Sequence, residues 1–237
     1  MSLLKHQNLD RRNALLSGVL YLLIAVIGGF SIGYVPGEIV SEGNATQTFH
    51  NLLDNQILFK MGITGDIIVM IFEVVLTVLL YRLFKAASPV GMTIATYSRM
   101  AMAIVMGVNL INYMIPVIIM GQPTFLNTFS AEELESLNLL FFKAHRYGEL
   151  AWQLFFAVHL FTLGYVLRKS GKTSKWLGIL MLLGGIGYGG DSFIQFTTMN
   201  SQVLTILFST LLVLAVIGEL WFAIWLIVKG NKEPKIA

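Results

Sequence analysis

Cysteine is absent from this chain of 237 residues. Its absence excludes disulfides, thiol catalysis and thiolate-bound zinc or iron–sulfur clusters. Charged residues are scarce as well, at 12% of the chain, which is about half of their share in an ordinary soluble domain. Hydrophobic residues reach 56%, and the net charge of +3 is too small to indicate nucleic-acid binding. This composition is typical of a protein that is surrounded by lipid.

Six long apolar runs follow one another along the chain. They cover residues 14–35, 57–83, 92–120, 144–167, 176–197 and 203–228. Each is long enough for an α-helix to cross about 30 Å of hydrocarbon, which takes about 20 residues. Spanning segments must satisfy their own backbone hydrogen bonds, so the runs should be helical. The sequence therefore predicts an all-α, polytopic membrane helical bundle of about six transmembrane helices, with residues 1–237 forming a single membrane domain.

The connection between the third and fourth runs contains a signal for the start of a helix. Ser130 and Glu133 match a capping box, in which each side chain bonds to the backbone N–H of the other residue. We expect a short amphipathic helix here, either at the membrane interface before the fourth span or continuous with it. In the third span, Pro116 lacks a backbone donor, so we expect a kink there.

Lysine and arginine are concentrated in alternate connections. Twelve of the 16 cations fall on one side of the predicted membrane: Lys5, Arg11, Arg12, Arg82, Lys85, Arg168, Lys169, Lys172, Lys175, Lys229, Lys232 and Lys235. The connections on the other side are acidic and contain Glu38, Glu42, Asp54, Glu132, Glu133 and Glu135. Because cytoplasmic loops carry the excess of cations, both termini are predicted to be cytoplasmic.

Nine polar or ionisable side chains lie within the predicted spans: Asp66, Glu73, Arg99, Asn109, His145, Glu149, His159, Asp191 and Glu219. Charged groups at this depth normally face the protein interior and pair with one another. At a rise of 1.5 Å per residue, one layer about 12–15 Å above the inner boundary contains Glu73, Arg99, His159 and Glu219. A second layer, at about 24–28 Å, contains Asp66, Asp191, Asn109 and Glu149.

Helical spacing places several of these groups on common faces. Asp66 and Glu73 are one heptad apart on the second span, and Asp191 and Gln195 are spaced i, i+4 on the fifth. The fourth span carries a stripe at 4-3-4-3 spacing, made of His145, Glu149, Trp152, Phe156 and His159. A polar seam from the outer side to mid-membrane is the simplest arrangement.

Structural roles are open for the same residues. In one alternative, Arg99 forms an ion pair with Glu73 or Glu219, and the pair serves only to fix the register of the helices. In a second alternative, Asp66 and Asp191 are protonated by desolvation and serve as neutral carboxyl groups that donate hydrogen bonds.

Metal and cofactor binding is not predicted. His145 and His159 are about 21 Å apart along one helix, so they do not ligate the same ion. One histidine could also form a metal site with Asp66, Glu149 or Asp191, but the sequence spacing of these residues matches no known ligand pattern. Gly185 and Gly189 lie in a glycine-rich stretch within a span, where small residues favour close helix approach rather than dinucleotide binding.

Several short segments resemble a bacterial membrane-protein family known as domain of unknown function 4386. They are Asp10-Arg11-Arg12, Leu58-Phe59-Lys60-Met61-Gly62-Ile63-Thr64-Gly65-Asp66, Leu80-Tyr81-Arg82-Leu83-Phe84, Ser98-Arg99, His145-Arg146-Tyr147-Gly148, Leu163-Gly164 and Arg168-Lys169-Ser170. The resemblance covers nearly the whole chain and implies several helices in a bacterial cytoplasmic membrane. Relatives tend to have a proline after the serine that follows the fourth span, where this chain has Gly171. No catalytic residue carries over from the resemblance.

Three functions are compatible with these observations. The leading hypothesis is a protein that binds or transports a small molecule or ion through its buried polar seam, as in a proton-coupled transporter. An alternative is an intramembrane enzyme of lipid or quinone chemistry, with His145 or His159 as base and Asp66, Glu149 or Asp191 as its orienting group or as a metal ligand. A second alternative is a membrane sensor or scaffold without catalysis. The expected partners are membrane lipids and a small-molecule or ion ligand, and the oligomeric state stays open.

Overall fold

The computed structural model describes residues 2–199 and 201–229, and all the regular structure in these residues is helical. The longer helices are α1 (Ser2–Gly28), α3 (Ala45–Asp54), α4 (Gln56–Phe84), α5 (Pro89–Met120), α6 (Ala131–Ser170), α7 (Lys175–Phe196) and α8 (Gln202–Lys229). A π-helical segment, Gly29–Tyr34, joins α1 to the short helix α2 (Val35–Ile39), and a 3-10 turn covers Thr124–Leu126. Lys232 and Lys235, which the charge pattern includes, lie outside the described residues.

Six helices are long and apolar enough to cross a membrane. They are Asp10–Ile39, Gln56–Phe84, Pro89–Met120, Ala131–Ser170, Lys175–Phe196 and Gln202–Val228. Each overlaps one of the six predicted runs, and the first combines α1, the π-helical segment and α2. The all-α fold and the six predicted spans are confirmed, and the chain is a multi-pass membrane protein.

Helix α6 begins well before the fourth apolar run. Its 40 residues extend for about 60 Å, twice the thickness of the hydrocarbon layer. The predicted capping box is present: the backbone N–H of Ser130 donates to Glu133 Oε2 at 2.7 Å, and that of Glu133 donates to Ser130 Oγ at 3.2 Å. The amphipathic segment therefore runs continuously into the fourth span.

Helix α3 is an element that the sequence analysis missed. Asn44 precedes it, and its side-chain oxygen accepts a hydrogen bond from the backbone N–H of Gln47 at 2.9 Å. Asparagine is among the best residues at this position because it satisfies one of the free N–H groups of the first turn. Elsewhere, α5 continues through Pro116, and the kink at this residue stays a prediction.

The described residues divide into two compact units. The first unit contains residues 2–25, 72–103, 150–199 and 201–229, and the second contains residues 26–71 and 104–149. Helix α7 lies in the first unit and contains six glycines, of which three illustrate the close approach of α7 to α6 or α8. A Cβ atom on Gly185 would lie 2.7 Å from the Ala157 carbonyl oxygen of α6. A Cβ on Gly184 would meet Ala215 of α8 at 2.7 Å, and one on Gly187 would meet Leu211 of α8 at 2.8 Å.

The second unit has an apolar core of its own. The buried members are Val35, Ile39, Leu52, Phe59, Ile63, Tyr113, Met120 and Phe142. Three of these aromatic rings contact one another, with centroids 5.2–5.7 Å apart. Leu52 shows that α3 belongs to this core, because its side chain is fully buried.

Candidate functional site

Arg99 is the centre of a buried polar cluster in the first unit. It lies in the first half of α5 and has no exposed surface. Its Nε donates to Glu73 Oε2 at 2.5 Å, and its Nη1 lies 2.8 Å from the Tyr21 hydroxyl oxygen. The same Nη1 lies 2.9 Å from His159 Nε2. Three different helices, α1, α4 and α6, therefore supply partners to one guanidinium.

Aromatic rings enclose this guanidinium. Its carbon atom lies 4.9 Å from the centroid of the Tyr21 ring and 5.5 Å from that of Phe156. Cation–π attraction of this kind is strongest where water is excluded. Phe156 also stacks on the His159 ring, with the ring centroids 5.9 Å apart, and it makes an edge contact with Tyr188, with the centroids 5.0 Å apart. These contacts hold the cation in a defined position.

The hydrogen bonds of His159 define its tautomer. Its Nδ1 lies 2.8 Å from the backbone carbonyl oxygen of Ala95, which only accepts hydrogen bonds, so Nδ1 carries a proton. Arg99 only donates, so His159 Nε2 accepts from Nη1 and carries no proton. His159 is thus a neutral ring that links α5 and α6 through two hydrogen bonds.

Arg99 retains one donor group without a partner. Its Nη2 is buried and forms no hydrogen bond with a described residue, and the same is true of the Thr96 hydroxyl one turn earlier on α5. Glu219 of α8 interacts electrostatically with both Arg99 and Glu73. We call Tyr21, Glu73, Arg99, His159 and Glu219 the Arg99 cluster.

Asp191 is separate from these residues in its contacts. Its side chain is 8% exposed and accepts a hydrogen bond from Gln195 Nε2 at 2.8 Å, the i, i+4 contact that the spacing predicts. Its neighbour Ser192 donates to Gln153 Oε1 at 3.1 Å. The described contacts of Asp191 include no member of the Arg99 cluster, so it serves below as a matched control.

The second unit contains another polar cluster, in which α5 and α6 meet. The Asn109 side-chain amide donates to the His145 carbonyl oxygen at 2.9 Å, and His145 Nδ1 lies 3.2 Å from the Asn109 carbonyl oxygen. Gly148 is required beside this pair, since a Cβ there would lie 1.9 Å from the Asn109 amide oxygen. The His145 ring stacks on Tyr113 with centroids 3.4 Å apart. These contacts fix the orientation of His145.

Glu149 connects this histidine to a cation. Its Oε2 accepts from Arg146 Nη1 at 2.7 Å, while its Oε1 lies 3.6 Å from His145 Nε2. Because His145 Nδ1 carries the proton that is donated to Asn109, a neutral His145 ring presents a lone pair to Glu149. The two groups attract each other only when one of them holds an additional proton. Asn109, His145, Arg146 and Glu149 form the His145 cluster.

Asp66 is the remaining predicted residue and lies in the second unit. It is 6% exposed, and its Oδ1 forms no hydrogen bond with a described residue. The nearby Ser31 hydroxyl interacts with its carboxyl but does not reach hydrogen-bond geometry. Asp66 also interacts electrostatically with Glu149 and Tyr113.

Similarity to known proteins extends over most of the chain and is not confined to these clusters. A family model described as a domain of unknown function (DUF4386) matches residues 16–230. The chain belongs to the DUF4386 family.

A relative from Archaeoglobus fulgidus, described as an uncharacterized protein, is 37% identical to this DUF4386 chain over 83 residues. The matched segment is 35% of this chain and 46% of the relative, so the chain spans about half the length of the curated relative it matches. No solved structure is significantly similar to the chain.

The described residues of this DUF4386 protein thus bring most of the predicted site residues together in two clusters, whereas Asp66 and Asp191 belong to neither. Glu73, Arg99 and His159 are in direct contact, with Glu219 in electrostatic range, and these four are the predicted mid-membrane layer. Of the second predicted layer, Asn109, Glu149 and Asp66 lie in the second unit, whereas Asp191 lies in the first. The continuous polar seam stays a prediction.

Two uncharged site residues were missed by sequence reasoning. Tyr21 bonds to Arg99, and Ser31 lies beside Asp66. Neither is charged, so neither stands out in a search for ionisable groups in apolar runs. A tyrosine that is buried within a span is a usable signal, because its hydroxyl needs a partner in hydrocarbon.

The chemistry that these groups support is proton and ligand binding. Among the described residues, no group of three histidine, aspartate or glutamate side chains lies close enough to hold a metal ion. The His145 and Glu149 side chains form the one histidine–carboxylate contact in the described part of the chain. The Arg99 cluster offers one donor group without a partner, Arg99 Nη2, and a second carboxyl group, Glu219, in electrostatic range.

Proposed function

We propose that this protein is a proton-linked carrier that binds a small molecule or ion at the Arg99 cluster. The observation that supports this proposal best is the incomplete pairing of Arg99. A purely structural ion pair is stable in hydrocarbon only when its remaining donors are satisfied. Arg99 leaves Nη2 without a partner, although a second carboxyl group, Glu219, is within electrostatic range.

The net charge of the Arg99 cluster couples the binding of a ligand to the protonation of Glu219. The charges of Arg99 and Glu73 cancel, so the net charge of the cluster changes by one when Glu219 gains or loses a proton. An uncompensated charge is expensive at low dielectric, so this change has a large energetic effect on any ligand bound beside it. By reciprocity, the ligand affects proton binding by the same factor.

The free donor group indicates the class of ligand. An ionised Glu219 is an acceptor for Arg99 Nη2, and it competes with any ligand that offers an acceptor oxygen. When Glu219 holds a proton, it donates rather than competes. A small molecule with a carboxylate or other acceptor oxygen is therefore expected to bind together with a proton, which is the behaviour of a symporter.

We infer that the carrier lies in the bacterial cytoplasmic membrane with both termini in the cytoplasm. The distribution of Lys and Arg supports this orientation, because 12 of the 16 cations occupy the connections on one side. The resemblance of the sequence segments to a bacterial family supports the choice of membrane.

Proteoliposomes that contain a pH-sensitive dye test the proposal. A panel of small carboxylates is added outside, with and without an imposed pH gradient, and internal pH is followed. We expect at least one carboxylate to acidify the lumen in the wild type. Glu219→Gln should abolish acidification, because the proton site is removed while Arg99 and Glu73 remain.

Asp191→Asn provides the matched control, since it neutralises a buried carboxyl of the same unit outside the cluster. It should transport protons like the wild type. If no carboxylate moves protons in the wild type, or if Glu219→Gln transports as well as Asp191→Asn, the carrier proposal is wrong and the scaffold alternative is favoured.

A further inference from the structure

Two buried oxygen atoms in the second unit lack hydrogen-bond partners. Ser31 is 1% exposed and Asp66 is 6% exposed, and both Ser31 Oγ and Asp66 Oδ1 form no hydrogen bond with a described residue. The Ser31 hydroxyl is near the Asp66 carboxyl but does not form a hydrogen bond of normal geometry with it. A buried carboxyl oxygen without a hydrogen-bond partner is costly, so a group that contacts both unpaired oxygens would stabilise the pair.

The backbone is arranged to bring these atoms together. Ser31 lies in the π-helical segment, a form that is frequent at functional sites. Opposite it on α4, a Cβ on Gly65 would lie 2.9 Å from Ser31 Cβ, and one on Gly62 would lie 2.8 Å from Val35. The two glycines therefore allow the π-helical segment and the start of α2 to lie against α4 beside Asp66.

The electrostatic surroundings of the pair favour a positive charge. Asp66 interacts with Glu149 and with the Tyr113 hydroxyl group. The cationic side chains of the second unit, Lys60, Lys143 and Arg146, are all exposed. Arg146 bonds to Glu149, and no described cation forms an ion pair with Asp66.

We propose that Ser31 and Asp66 bind a monovalent metal cation, such as Na⁺, within the second unit. Oxygen ligands suit hard cations, and the single carboxylate charge matches a single positive charge. Ca²⁺ and Mg²⁺ usually bind with more than one carboxylate or with several waters, so a single carboxylate favours a monovalent ion. This site is distinct from the Arg99 cluster and does not depend on its function.

Thermal unfolding of the purified full chain in detergent tests the proposal. NaCl or KCl replaces N-methylglucamine chloride at constant ionic strength and pH, and the midpoint Tm is measured. We expect Tm to rise with at least one metal cation, by about 3–6 °C for each tenfold increase above its dissociation constant. Asp66→Asn should lose this rise, and Ser31→Ala should need about tenfold more cation.

Two controls separate this site from other effects. Asp191→Asn and Glu219→Gln should keep the full response to the cation, the latter even if it transports no protons. If Asp66→Asn does not fold, Ser31→Ala and equilibrium binding of ²²Na⁺ and ⁴²K⁺ to the wild type decide the matter. A Tm independent of Na⁺ and K⁺, or an unchanged response in Ser31→Ala, would show that a water molecule or no ligand occupies the position.

Discussion

Arg99 has two carboxyl groups within reach of its charge but bonds to only one of them. Glu73 holds Nε at 2.5 Å, and Glu219 is in electrostatic range without a bond. In hydrocarbon, an Arg without a counter-ion is strongly unfavourable. Either carboxylate is able to neutralise the guanidinium, so the two residues are expected to be partly redundant for stability.

A double-mutant cycle measures this redundancy. Glu73→Gln and Glu219→Gln each leave Arg99 with one carboxylate, whereas the double variant leaves none. We expect the double variant to lose about 1–3 kcal/mol more unfolding free energy than the sum of the single losses. The total loss should approach the about 3–5 kcal/mol typical of a buried pair that is broken. Reversible unfolding in mixed detergent micelles provides the measurement.

The cycle has a matched control in the same unit. Asp191→Asn combined with Glu219→Gln should show additive losses, since Asp191 contacts Gln195 and no member of the Arg99 cluster. Additive losses for Glu73→Gln and Glu219→Gln as well would mean that Glu219 does not share Arg99 with Glu73.

At this scale, the sequence predicts the charged partners but not the neutral ones. Arg99, Glu73 and His159 were expected to meet because ionised groups in hydrocarbon have few other partners. Tyr21 was not expected, since tyrosines in spans also occur as interface anchors and packing residues. Which of two carboxylates bonds to Arg99 depends on side-chain geometry within about 1 Å, and sequence spacing does not reach that precision.

Helices α6 and α7 approach each other through glycine. A Cβ on Gly164 of α6 would lie 2.7 Å from the Gly178 carbonyl oxygen and 2.8 Å from the Leu182 backbone nitrogen. Both obstacles are backbone atoms of α7, so a flexible side chain cannot move aside to make room. In membranes, small residues at such contacts allow the van der Waals packing that holds helices together.

We therefore expect Gly164→Ala to destabilise the protein despite the higher helix propensity of alanine. The loss should be about 1–3 kcal/mol, as for other overpacked cores. Gly33→Ala is the control, because nothing lies within 4 Å of a Cβ at that position. Thermal unfolding of both variants in the same detergent checks the difference, and equal midpoints would show that α6 and α7 do not pack as described.

The helices that could be predicted from the sequence are those whose hydropathy and length mark them as membrane spans. The six spans follow from apolar length alone, and α6 begins at the capping box of Ser130 and Glu133. Helix α3 was not predicted because a helix of 10 residues, several of them polar, is too short and too polar to be recognised as a membrane span. The sequence signal for the start of this helix was Asn44, but asparagine is equally common in loops and turns.

The arrangement of the whole chain across the membrane is predicted by charge. Because the chain contains no cysteine, a single introduced cysteine is a unique label. Thr128 and Lys172 are both exposed and lie in connections on opposite predicted sides. A membrane-impermeant maleimide applied to intact cells should label Thr128→Cys and spare Lys172→Cys until the membrane is permeabilised.

The reverse labelling pattern would contradict the cytoplasmic location of both termini. Labelling of both variants in intact cells would contradict the membrane barrier between residues 131 and 170, and with it the fourth span. The identity of the ligand has no comparable prediction from sequence, because it depends on where side chains from several helices converge.

The central proposal is that Glu219 carries an exchangeable proton beside Arg99. Infrared difference spectroscopy of the protein in lipid detects the C=O stretch of a protonated carboxyl group and follows it as pH changes. We predict a carboxyl band that titrates in the wild type, persists in Asp191→Asn and disappears in Glu219→Gln. A spectrum that Glu219→Gln leaves unchanged across the titration would contradict the proposal.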